Sequence, residues 1–343
     1  MLTGQDSEQW QELAGKVAFL SRAGSYPEHP ESVETIETHM SWVFLTDHYA
    51  YKLKKPVQLL ALDYSTVELR RQCITGEQEL NQTLAPTVYL GILALSEDDS
   101  GQLHLGFDRQ DAHIVDWLLQ MKRLPRELML DQAIGRNGVY QQRLAQAAQL
   151  LCQFYKHTGR IQISPEHYRR SLITKITQNH EALSAPQYQA DSAALNNVRT
   201  AQLGFVETHT SLFDQRVLNG RIVNGHGDLR PEHICLSSPP VIIDRFEADA
   251  SVRTVDIIDE LSFLRMECEM LGHPEAAAVF FDTYQQNSED VWPDSLVTFY
   301  RSLRASTRAK FSAWHLDDPL VMNKEKWWQK TSAYLELAEI ILK

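Results

Sequence analysis

Apolar residues recur at helical spacing near the start of the chain, with Trp10, Leu13, Val17 and Leu20 on one face, so the first 24 residues read as a short amphipathic helix. A loop with Pro27 and Pro30 follows. Residues 39–45 and 48–54 are rich in β-branched and aromatic positions and are parted only by Thr46-Asp47, which predicts a tight hairpin. A helix is expected from Thr66 to Leu84, stopped by Ala85-Pro86, and further strands at 87–96, 103–108 and 113–120. Beyond Pro125 the period changes. Tyr140, Leu144, Ala147, Ala148, Leu151 and Tyr155 form the apolar stripe of a long helix. Helical patterns continue through 164–184 and 190–219, and four more helices are expected after Val255. The order predicts a five-stranded antiparallel unit with one inserted helix, then a helical unit with a small β island at 221–247. The boundary is placed at 122/123.

The β island holds the densest chemistry. Ile234-Cys235-Leu236 and Val241-Ile242-Ile243 are apolar runs joined by Ser-Ser-Pro-Pro, a pattern that predicts a hairpin. Its open end would bring His233 beside Asp244, with Asp228 five residues before His233 on a Gly-containing loop. Two acids and a histidine converging there suit metal-assisted phosphoryl transfer, in which one acid orients the nucleophile and another holds the metal.

Composition narrows the field. With 45 acidic residues against 33 Lys plus Arg, the net charge is −12, a poor match to a nucleic-acid or anionic-membrane binder. The four cysteines, Cys73, Cys152, Cys235 and Cys268, form no CxxC pair, which fits a reducing, cytoplasmic setting. No run of apolar residues is long enough to span a bilayer, and the N-terminus lacks the pattern of a signal peptide. Neither GxGxxG nor GxxxxGK[ST] occurs, so a P-loop NTPase is excluded.

His226-Gly227-Asp228, followed after the hairpin by Asp244, resembles the catalytic loop and metal aspartate of the aminoglycoside phosphotransferase and choline kinase-like superfamily. Glu37-Thr38-His39-Met40-Ser41-Trp42-Val43, Tyr49-Ala50-Tyr51-Lys52 and Asn224 to His233 are similar to an uncharacterised bacterial group of kinase-like proteins within it, over roughly residues 26–320. The resemblance implies an α+β, bilobal protein-kinase-like fold: a small antiparallel N-lobe with one helix and a larger, mostly helical C-lobe. It implies ATP and Mg²⁺ as cofactors and a small-molecule hydroxyl as acceptor. Asp228 would be catalytic, with His226 in the same motif. Arg230 would face substrate or the transferred phosphate, or pair with Glu232. Asp244 would bind metal. His233 replaces the family asparagine, and its imidazole suits Mn²⁺ better than Mg²⁺ if it ligates at all. Asp259 would brace the loop.

Lys52 matches the phosphate-holding lysine, with Lys54 a rival because both point to one face of the strand. Glu77 shares the inward face of its helix and would pair with Lys52; Glu79 points elsewhere. Thr38, His39 and Ser41 would take the place of the missing phosphate loop. Gln120 and Met121 would contact adenine at the hinge, though core packing explains Met121 equally. Arg301, Arg304 and Arg308 lie on one helix face with Lys310 nearby, open to an anionic substrate or to neighbouring acids. Two other functions share this fold: a nucleotide-binding pseudokinase that regulates a partner, and a nucleotidyl transferase.

Overall fold

The computed structural model describes residues 4–38, 40–59, 62–106, 113–135, 140–247, 249–317, 321 and 323–342. The chain divides into two compact units. The first takes Met1–Met129 together with Val241–Ser251, and the second takes Leu130–Pro240 and Val252–Lys343. Residues 241–251, expected with the helical part, thus belong with the sheet.

The first unit opens with helix α1 (Gly4–Leu20). Strands β1 (Glu34–Glu37), β2 (Ser41–Leu45) and β3 (Tyr49–Lys54) follow. After a two-residue ladder between β4 (Gln58–Leu59) and β5 (Leu62–Asp63) comes helix α2 (Val67–Asn81). Strands β6 (Tyr89–Glu97), β7 (Leu103–Gly106) and β8 (His113–Lys122) complete the unit's main sheet. The sheet has six strands in the order β1-β2-β3-β8-β6-β7, every pairing antiparallel. Alternation along β3 divides its side chains. Tyr51 and Leu53 enter an apolar core with Leu13, Leu20, Tyr26, Phe44, Leu95 and Leu118, while Lys52 and Lys54 point to the opposite face.

Helix α2 is held by chemistry as much as by apolar contact. The Thr66 hydroxyl caps it, accepting from Leu69 N at 3.2 Å. Its buried face carries Arg70, Ile74, Glu77 and Asn81, three of them polar. Arg70 makes a two-pronged pair with Asp116 of β8 at 2.9 and 2.8 Å, and Lys16 of α1 adds a contact of 2.9 Å to the same carboxylate. Buried polar groups on that scale hold only when paired.

The second unit contains α3 (Leu130–Ala133), α4 (Tyr140–His157), α5 (Pro165–Leu183), α6 (Ser192–Thr208) and α7 (Thr210–Leu218). It continues with β9 (Ile222–Asn224) and β10 (Ile234–Cys235); β11 (Val241–Ile242) lies in the first unit. After the one-turn α8 (Ala250–Arg253) come β12 (Thr254–Asp256), α9 (Ile257–Met270), α10 (Pro274–Asn287), α11 (Asp294–Trp314) and α12 (Lys324–Ile340). Helix α9 is buried almost all round, between α10 and α11. Phe263 and Met266 of α9 pack with Ala305, Ala309 and Ala313 of α11 and Tyr334 and Ala338 of α12. Asp256 caps α9 through Ile258 N at 2.9 Å and takes both prongs of the buried Arg216 at 2.8 and 2.7 Å. No helix among the described residues is long and apolar enough to cross a membrane.

Candidate active site

Strand alternation aims Lys52 and Lys54 at α2, and helical spacing turns Glu77 back toward them. Lys52 Nζ lies 2.7 Å from Glu77 Oε1 and 3.0 Å from Asp244 Oδ1. Lys54 Nζ lies 2.7 Å from the other oxygen of Glu77, as an ion pair outside hydrogen-bond geometry, and also meets Glu247. The expectation of one exclusive Lys52–Glu77 pair is therefore corrected: a single fully buried carboxylate serves both lysines, because residues two apart on a strand share one face. Burial pulls the Lys52 ammonium down, but Asp244, Glu77 and Glu247 outweigh it and hold its pKa well above the ordinary value. Burial likewise opposes the charge on Lys54, and Glu77 prevails over it.

Asp244 is placed by its backbone. It has φ +61°, in the left-handed region that aspartate tolerates better than most residues. Its N–H donates to the Tyr89 hydroxyl at 3.0 Å. The next N–H, of Arg245, donates to Asn81 Oδ1 at 2.8 Å, while Asn81 Nδ2 donates to Glu77 O at 2.9 Å. Asn81 thus ties the segment after Asp244 to the end of the helix that carries Glu77. Neither Asn81 nor Tyr89 was foreseen; Asn81 continues the inward series Arg70-Ile74-Glu77 at helical spacing, which is the signal that marks it.

The remaining first-unit candidates are placed differently from the sequence expectation. The Thr38 hydroxyl donates to Ser41 O at 2.8 Å and accepts from Ser41 N at 3.0 Å, so it is spent inside the β1–β2 turn. Ser41 is 1% exposed. Their expected hydroxyl contacts to phosphate are corrected on that ground, and His39 lies outside the described residues. Gln120 and Met121 are enclosed between β3 and β6, facing Tyr51 and Ala50 on one side and Gly91 and Tyr89 on the other. The Gln120 amide donates to the Tyr51 hydroxyl at 3.2 Å. Backbone on a central strand is committed to its neighbours, so adenine recognition by their main chain is corrected as well. The ladder reaches Arg123, whose N–H donates to His48 O at 2.8 Å.

In the second unit, antiparallel pairing of β9 with β12 brings the start of the His226-Gly227-Asp228 loop beside the N-terminus of α9. Gly225 is required there, since a Cβ would come within 2.6 Å of Val255 Cγ2 and 2.7 Å of the Glu260 carboxyl. Gly225→Ala is expected to cost about 1–3 kcal/mol of stability, read as a lower urea midpoint; an unchanged midpoint would refute this close approach. Gly227 has φ +89°, a conformation natural to glycine.

Glu260, fully buried, accepts from Gly227 N and, at 2.9 Å, from the Tyr155 hydroxyl. Burial raises its pKa against these hydrogen bonds. Asp259, expected to brace the loop, instead makes a two-pronged pair with Arg304 at 2.6 and 2.8 Å, so the brace is the neighbouring acid. His226 is fully buried, and its Nδ1 accepts from Asp228 N at 3.3 Å, a position that shapes the loop.

Arg230 Nε donates to Asp228 Oδ2 at 3.0 Å, and Arg230 also pairs with Glu232. Both ring nitrogens of His233 are engaged. Nδ1 is 2.8 Å from the Asp228 carbonyl and Nε2 is 3.1 Å from Arg230 Nη2. A carbonyl only accepts and a guanidinium only donates, so the proton sits on Nδ1 and Nε2 accepts. A ring used in this way has no lone pair left for a metal, and the ligand role for His233 is corrected to one of positioning Asp228 and Arg230. His233→Asn is then expected to leave the Mg²⁺ to Mn²⁺ preference of nucleotide binding unchanged; a shift toward Mg²⁺ in a metal titration would restore the ligand role.

No group of three or more His, Cys, Asp or Glu among the described residues is arranged to hold a metal ion by itself. Mg²⁺ does not need such a cage, since it is ordinarily bound by one or two carboxylates with phosphate oxygens and water. Asp244, its side chain 43% exposed and beside Lys52, fits that mode.

No protein-family model matches the sequence. Uncharacterised proteins of Mycobacterium tuberculosis and Mycobacterium bovis are 29% identical over 296 residues, 84% of this chain. The chain spans 57% of the length of these curated relatives. Among solved structures, aminoglycoside 2'-phosphotransferase-IIIa in complex with GDP superposes with a TM-score of 0.52 at 13% identity, over 91% of this chain and 92% of that one. Choline kinase LicA from Streptococcus pneumoniae superposes with a TM-score of 0.52 at 12% identity, over 96% and 99%. With its antiparallel sheet unit and its helical unit, the chain has the α+β kinase-like fold of the aminoglycoside phosphotransferases and choline kinase.

Proposed function

We propose that the chain is an ATP-dependent, Mg²⁺-assisted phosphotransferase that moves the γ-phosphoryl group to a hydroxyl of a small molecule. The observation that carries this reading is Lys52, held between the buried Glu77 and an aspartate on a left-handed turn. An ammonium fixed in that way is oriented to meet phosphate oxygens, and its charge is secured against burial. Asp244 is the residue that would hold the metal, which would supply charge neutralisation on the phosphates. Asp228 would accept the proton of the acceptor hydroxyl, with Arg230 fixing its carboxylate and Glu260 the loop beneath it. The GDP carried by the aminoglycoside phosphotransferase supports nucleotide binding here and makes GTP the control for ATP.

Calorimetry tests the nucleotide half. Mg²⁺ is expected to tighten ATP binding by about tenfold, 1.4 kcal/mol, and Asp244→Ala to remove that gain. Equal affinity of the two proteins in Mg²⁺ would overturn the assignment of Asp244.

A further inference from the structure

The arginine stripe of α11 is spent on the acids of α9: Arg301 on Glu269, Arg304 on Asp259 and Arg308 on Glu267 at 3.0 Å. The charged cluster around Glu77 is different, because it is sealed at one end and open at the other. Asp244, Lys52, Glu77, Lys54 and Glu247 follow one another as ion-pair neighbours of alternating sign. The series begins and ends on one short stretch of backbone, since Glu247 lies three residues after Asp244. At the open end the Asp244 side chain is 43% exposed; at the sealed end those of Lys54 and Glu247 are 2% and 12% exposed.

The two ends cannot serve one purpose. A phosphate oxygen that meets Lys52 and a metal ion that meets Asp244 draw those two side chains away from each other, so their mutual contact no longer fixes the segment that carries Asp244. Upstream, that segment is supported by neutral hydrogen bonds, from Asp244 N to the Tyr89 hydroxyl at 3.0 Å and from Arg245 N to Asn81 Oδ1 at 2.8 Å. Downstream, the Glu247 carboxylate pairs with Lys54 of β3, and the Cys73 thiol of α2 lies 3.8 Å from Glu247 Oε1. Cys73 is one turn before Glu77, so Glu247 reaches the same face of that helix. Burial opposes the charge on Glu247, but Lys54 and Lys52 outweigh it and hold its pKa below the ordinary value, so the group is ionised at neutral pH. A hydrogen bond between two charged groups is stronger than the neutral ones upstream. This one is also out of reach of whatever binds at the open end.

We propose that Glu247 is a positioning residue: through Lys54 it holds the segment that carries Asp244 in place while Asp244 and Lys52 are engaged by metal and phosphate. That engagement rests on the phosphotransferase reading; the tethering of the segment by Glu247 does not.

Two measurements on the full chain test it. The first is amide hydrogen exchange without nucleotide. In Glu247→Ala the amides of Asp244 and Arg245 should exchange about tenfold faster, while those of β8 keep their rates. The second is calorimetry of ATP with and without Mg²⁺. The gain in affinity that Mg²⁺ brings should fall from about tenfold to about twofold in Glu247→Ala, with metal-free affinity unchanged, because Glu77 still holds Lys52. The double variant Lys54→Met with Glu247→Ala removes both partners and leaves Glu77 paired with Lys52; it should match Glu247→Ala in both measurements, and it replaces that variant if the single change unfolds the chain. Unchanged exchange at Asp244 and Arg245 would overturn the role of Glu247. So would equal acceleration in β8, which marks a general loss of stability, or a full Mg²⁺ gain in these variants when Asp244→Ala loses it. Faster exchange at Asp244 and Arg245 together with a Mg²⁺ gain that survives in Asp244→Ala would count against the phosphotransferase reading alone.

Discussion

Asp228→Asn is expected to lower phosphoryl transfer by about 10²–10⁴-fold while nucleotide affinity stays within a few fold. The substitution keeps the shape of the side chain and removes its basicity. Arg230 can still donate to the amide oxygen that replaces Asp228 Oδ2, and His233 still donates to the Asp228 carbonyl, so the loop keeps its supports. What is lost is the proton acceptor. Turnover measured with an identified acceptor, alongside calorimetry of ATP, separates the two effects. A variant that keeps most of its rate would remove Asp228 from the chemistry; one that loses nucleotide binding as well would give it a structural role.

The second large effect concerns Glu77. Glu77→Ala removes one carboxylate from between two buried ammonium groups and is expected to cost about 3–5 kcal/mol of stability. The variant should also lose activity, because Lys52 would then be held by Asp244 alone among its two direct ion-pair partners. Since Glu77 Oε1 serves Lys52 and Oε2 serves Lys54, coupling should be found with both lysines. Double-mutant cycles of Glu77→Ala with Lys52→Met and with Lys54→Met should each give an interaction energy of about 0.5–3 kcal/mol. Additivity with Lys54 would mean that only Lys52 is coupled to Glu77.

Local periodicity carried much of this into view from the sequence. The pattern of β2, β3 and α2 is set by neighbours along the chain, so the shared face of Lys52 and Lys54 and the inward place of Glu77 were readable before any packing was known. What depends on contacts between distant segments was not. Which of the adjacent acids Asp259 and Glu260 reaches the loop is decided by how α9 is rotated against α11, where Arg304 claims one of them. The membership of residues 241–251 in the sheet unit rests on hydrogen bonds to Leu84, Asn81 and Tyr89, none of which spacing reveals. Of the two roles the sequence left open for His233, metal ligand or hydrogen-bond partner beside the acids, the geometry favours the second, because Arg230, three residues back, occupies its second nitrogen. An edge strand before the hairpin could be inferred only from the strand count and not delimited, since Glu34-Thr35-Ile36-Glu37 sits at a sheet edge with three of its four side chains exposed and shows no buried alternation.

The central claim is phosphoryl transfer, and one measurement bears on it most directly. The full chain is incubated with Mg²⁺, ATP labelled with ¹⁸O in the γ-phosphoryl group and a metabolite extract rich in hydroxy compounds, and the products are followed by mass spectrometry. The account predicts ADP together with a new compound heavier by one labelled phosphoryl group, formed by the wild type and not by Asp228→Asn. A product carrying the nucleotidyl group with release of labelled pyrophosphate, or no product from ATP or GTP with any extract, would contradict it.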